Sequence, residues 1–134
     1  MSNSTEISTT SLTGHFKAIT THDSKPYLTS DTVTYSSDNV TGRQGARELL
    51  LTFKKGTPPG EYQFDKGHFT GGRLTSQLPG PGIINTRFIV IQGDLTLTET
   101  SLSRVTGAFH IKLIGTQDPN EKIELKGTFD IQDI

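Results

Sequence analysis

Apolar residues recur at every second position through most of this chain, and no segment sustains a helical spacing. In a strand, successive side chains point to opposite faces, so such alternation gives one apolar and one polar face. The pattern is clearest near the end of the chain. Val105, Gly107, Phe109, Ile111 and Leu113 share one parity, as do Ile123, Leu125, Gly127, Phe129 and Ile131. The opposite parity of the second run is wholly polar: Glu124, Lys126, Thr128 and Asp130. Between them, Asp118-Pro119-Asn120 has turn chemistry, because Pro presets its dihedral and Asp and Asn accept tight turns. These residues predict a hairpin laid over a hydrophobic interior.

The same reading places a strand at 12–20, with Leu12, Gly14, Phe16 and Ala18 on one parity. A polar loop through Pro26 leads to a weaker strand at 31–36, and 37–46, with two Gly and few apolar residues, reads as a loop. A strong strand follows at 48–54, with Leu49, Leu51 and Phe53 together. The run KGTPPG at 55–60 is a turn, since Pro cannot join a ladder. Strands resume at 61–65, with Tyr62 and Phe64 inward, and at 68–77, where Gly71-Gly72 predicts a bulge or bend. LPGPGIIN, 78–85, reads as a loop. The longest strand, 86–98, is apolar on both parities through Phe88, Ile89, Val90 and Ile91. A strand covered on both faces looks like this, which points to a loop, a terminus or a second molecule over its outer side.

Three strands share a hydrophobic-x-Gly-x-Phe-x-apolar register: LTGHFKA from Leu12, VTGAFHI from Val105 and LKGTFDI from Leu125. Gly93 repeats the pattern with Leu95 in place of Phe. Gly weakens a strand, so its recurrence needs compensation, either an aromatic ring from a neighbouring strand or a sheet bent hard enough to close. Both favour an all-β fold made of a single antiparallel β-barrel of about eight or nine strands, with a β-sandwich as the alternative. The barrel is assigned to residues 11–134, with residues 1–10 as a polar, frayed tail.

Composition narrows the function. At 134 residues the chain is one domain's worth, and its apolar fraction of 31% suits strands with one wet face. A net charge of -1 with interspersed signs lacks the basic stripe that nucleic-acid binding requires. There is no Cys, which excludes disulfides and thiolate chemistry. No apolar stretch reaches the ~20 residues of a membrane helix. The opening MSNSTEISTTS has no basic patch followed by an apolar run, so no signal peptide is predicted.

Three segments carry a family resemblance: LLLTFKKGTPPGEYQF, GDLTLTETSLSRVTGAFHI and IELKGTFDI. With their G-x-aliphatic-T-aliphatic-T run, [ST]-G-x-F strand and upstream G-x-Y, they resemble small calycin-like β-barrel domains of bacterial exported proteins and lipoproteins. The resemblance spans about residues 48–131. It implies a calycin-like barrel and an extracytoplasmic (periplasmic or secreted) location rather than a cytoplasmic one, and it carries no catalytic motif. The chain departs from that pattern in having no anchoring Cys near its start.

Candidate chemistry is sparse. His15, His68 and His110 each neighbour an inward Phe and should point outward, and His15 and His110 could approach only if their strands were adjacent. Zinc needs three or four ligands, and nothing completes such a set, so no metal, cofactor or catalytic residue is assigned. No nucleophile signature such as G-x-S-x-G is present. Ligand-binding candidates are Leu78, Ile83 and Ile84, apolar residues in a predicted loop, with Tyr27 and Tyr35 as aromatics in or beside loops. The expectation is a non-enzymatic binding protein holding a small apolar ligand in or at the mouth of the barrel. The alternatives are an interaction module or homodimer using a Phe88/Val90 face, and thirdly a hydrolase-type enzyme without a recognisable motif.

Overall fold

The computed structural model describes residues 12–30, 32–78, 84–101 and 103–133. The expected N-terminal tail and Ile83 lie outside these residues. The strands are β1 (Leu12–Thr20), β2 (Pro26–Ser30), β3 (Thr32–Ser36), β4 (Asn39–Gln44), β5 (Arg47–Phe53), β6 (Gly60–Gln63), β7 (Phe69–Leu78), β8 (Ile84–Thr100), β9 (Arg104–Gly115) and β10 (Lys122–Asp133). They form one nearly closed, antiparallel, barrel-shaped sheet in the order β2-β1-β10-β9-β8-β7-β5-β4-β3, with β6 paired to the far half of β8.

Closure depends on β2 and β3, which follow each other on either side of residue 31. The first pairs with β1 and the second with β4, so the two stand at opposite ends of the sheet order. At the handover Ser30 is buried. Its hydroxyl accepts from the Arg43 N–H at 2.8 Å and can donate to the Arg43 or Thr32 carbonyl. A side chain thus replaces the missing ladder bonds. The seam is tightened by Phe16, whose Cβ lies 2.5 Å from where a side chain on Gly42 would begin.

Strands β2 and β4 correct the expected polar loop through Pro26 and the expected loop at 37–46. Facing inward, β2 offers Leu28 and Ser30, and β4 offers Val40 and Gly42. The polar Ser is satisfied by β4's backbone and the Gly is filled by Phe16, so neither strand carries a full apolar stripe. Leu78, Ile84 and Asn85 also belong to strands, with Leu78 opposite Ile84 and Gln77 opposite Asn85. The expected bulge near Gly71-Gly72 is present: β5 shifts register against β7 between Thr52 and Phe53.

The expected Phe88/Val90 surface is corrected too. Phe88 and Val90 are buried, and the exposed pair is Ile89 and Ile91, at 41% and 45%. The cause is a register shift between Val90 and Gln92, which moves the inward set from Phe88 and Val90 to Leu95 and Leu97. The central core stacks Phe16, Phe109 and Phe129, with ring centroids 5.5, 5.6 and 6.4 Å apart. All three rings belong to the buried core of the barrel.

Candidate functional site

The end of β1, the starts of β2, β8 and β10, and the ends of β7 and β9 meet at one end of the barrel. A groove of about 570 Å³ opens there beside the β1–β2 turn. Its apolar lining comes from Tyr27, Ile91, Leu113, Ile114 and Ile123, and its polar lining includes His22, Gln92, Lys112, Lys122 and Glu124.

Local turn chemistry builds the walls. Ser24 adopts a positive φ of 57°, and its N–H donates to the Thr20 carbonyl at 2.9 Å. The Asp23 carboxylate accepts from the Thr20 hydroxyl and from the Lys25 N–H, which closes the turn. The Thr21 N–H then donates to the Glu124 carbonyl at 3.2 Å and fastens the turn to β10. Across the mouth, Asp118 accepts from the Asn120 N–H at 3.0 Å within the β9–β10 hairpin.

Tyr27 is the best-held aromatic of the groove. The Arg47 guanidinium sits 4.0 Å from its ring centroid and donates to its backbone carbonyl at 2.5 Å. Burial pushes the Tyr27 phenol up, and the nearby Arg47 charge opposes this only in part. The side chain therefore stays neutral and presents a flat, amphipathic surface. Glu124, which lines the groove, has a carboxylate oxygen 2.5 Å from Nε2 of His110, which lies outside it. That bond, with a smaller share from the Lys112 charge and the Thr21 hydroxyl, holds the Glu124 carboxyl below its ordinary range.

The sequence candidates separate in space. Tyr27 lines the groove, and Leu78 and Ile84 pair at the same end of the barrel. Tyr35, late in β3, belongs to the opposite end and packs against the core. Ile91, Leu113, Ile114 and Ile123 were not among the candidates. The available signals were the run apolar on both parities, which holds Ile91, and the adjacent apolar residues Leu113 and Ile114, which break the alternation of their strand.

His15 and His110 do not meet, because β10 runs between their strands. His68 is half-buried at the other end. Thr57 donates its hydroxyl proton to the Lys54 carbonyl at 2.5 Å, so the His68 Nδ1 at 3.2 Å must be the donor to Thr57. The Tyr62 ring, with its centroid 4.8 Å away, covers the imidazole. Among the described residues, no three His, Asp or Glu side chains converge. No protein family, curated protein or solved structure matches this chain.

Proposed function

We propose that this chain is a non-enzymatic binding protein that holds a small apolar ligand at the barrel mouth, against Tyr27, Ile91, Leu113 and Ile123. The carrying observation is the groove itself. Its volume of about 570 Å³ falls within the roughly 300–1,000 Å³ typical of small-molecule sites, and its lining combines apolar side chains with a few polar ones. The packed Phe16–Phe109–Phe129 core supports the mouth rather than the interior as the binding place. The likeness to calycin-like exported domains fits this reading and extends it to an extracytoplasmic role, which cell fractionation tests.

Titration with the uncharged fluorophore N-phenyl-1-naphthylamine checks the site. The expected result is saturable enhancement with a micromolar Kd, weakened at least about tenfold by Ile91→Lys, since a cation in an apolar floor is costly to desolvate. No enhancement with folded wild-type protein would remove the proposal. A second reading, an interaction module or homodimer, gains support from the exposed Ile89 and Ile91. A concentration-dependent dimer that Ile89→Lys disperses would favour it.

A further inference from the structure

We propose a second binding site on the outer face of β1, β10, β9, β8 and β6, for an elongated zwitterion: a short extended peptide with a free amine and a free carboxylate. The register sets five outward side chains in one row across these strands, Lys17, Thr128, Ala108, Thr96 and Glu61. A parallel row places Lys126, His110 and Asp94 side by side. The small residues in the middle leave a trough of about 460 Å³. Its banks carry opposite charge, with Lys17 and Lys126 on one side and Asp94 and Glu61 on the other.

The charges around this trough account for themselves unevenly. On the flanks, Asp130 is taken by Arg104 at 2.7 Å and Glu124 by His110 at 2.5 Å. None of Lys17, Lys126, Asp94 and Glu61 joins an ion pair among the described residues. Opposite charges on a sheet stabilise each other when directly across or diagonal on neighbouring strands. Here two strand spacings separate Lys126 from Asp94 and four separate Lys17 from Glu61, or about 10 and 19 Å at ~4.8 Å per strand. Direct pairing of Lys17 with Glu61 across the small-residue floor is out of reach, and His110 stands between Lys126 and Asp94.

A molecule carrying both signs spans that gap. An extended peptide covers ~3.3–3.6 Å per residue, so three to four residues fit between the reaching side chains of the two banks. The carboxylate lies toward Lys17 and Lys126, and the amine toward Asp94 and Glu61. The Thr96 and Thr128 hydroxyls face the peptide backbone between them. This site uses none of the apolar lining at the mouth and stands or falls independently of it.

The test is an amide-resolved NMR titration with tetra-alanine and with its N-acetylated, C-amidated and doubly blocked forms. Free tetra-alanine should shift the amides of Thr96, Ala108 and Thr128. Blocking either terminus should weaken binding about tenfold, the loss of one charged hydrogen-bonding group. The pair Lys17→Gln with Lys126→Gln should make the protein indifferent to C-amidation yet still sensitive to N-acetylation. The pair Glu61→Gln with Asp94→Asn should do the reverse. Equal shifts from the free and doubly blocked peptides would overturn the proposal, as would no shift at millimolar tetra-alanine.

Discussion

Phe109 stands opposite Gly127 and Phe129 opposite Gly107 on neighbouring strands, so each ring fills the place of a side chain its partner lacks. The Phe129 Cζ is 2.7 Å from where a Gly107 Cβ would sit, and the Phe109 Cζ is 2.8 Å from that of Gly127. Phe109→Ala should therefore cost about 3–5 kcal/mol in urea unfolding, as a large core truncation does. Gly127→Ala should also destabilise, by about 1–3 kcal/mol or more, because its Cβ would collide with the Lys17 carbonyl as well as the ring. On the surface, Arg104 donates to both Asp130 carboxylate oxygens, at 3.0 and 2.7 Å, and holds that carboxyl below its ordinary range. A depressed folded-state pKa means fewer bound protons in the native state. That stabilisation is present above the unfolded pKa and disappears as pH falls through the lower, folded one. Asp130→Asn should flatten the acid limb of a stability-versus-pH profile and leave its slope near neutrality unchanged.

At the scale of elements, the register shift at Ile91 decides which face of β8 is core. Ile89→Lys should alter stability by no more than ~0.5 kcal/mol, whereas Phe88→Ala should cost about 3–5 kcal/mol. Comparable losses at both positions would contradict the bulge. The same strand shows where sequence reading stops. A bulge changes parity without changing composition, so the double apolar run was legible while the choice of buried pair was not. β1, β5, β9 and β10 were legible because each keeps its own inward stripe. β2 and β4 were not, since their inward places are completed from elsewhere, Ser30 by a backbone and Gly42 by the Phe16 ring. The site was half legible: Tyr27 stood out as an aromatic outside any predicted strand. Its neighbours Ile91, Leu113, Ile114 and Ile123 come together only once β8, β9 and β10 are laid side by side.

For the molecule as a whole, the nearly closed barrel brings β2 and β3 to the two ends of its sheet order and buries a cluster of three Phe rings in its core. Ser30→Ala tests the closure. It removes the partner of the Arg43 N–H at a buried seam and should cost about 1–3 kcal/mol, a larger loss than its small change in volume implies. The proposed occupant of the groove at Tyr27 and Ile91 is a small apolar molecule. Native mass spectrometry of the protein, purified gently from its own host, measures this most directly. The expected result is a monomer carrying extra non-covalent mass that leaves on denaturation and is missing from the Ile91→Lys variant. Wild-type protein that appears only without bound mass, as monomer or dimer, would contradict it.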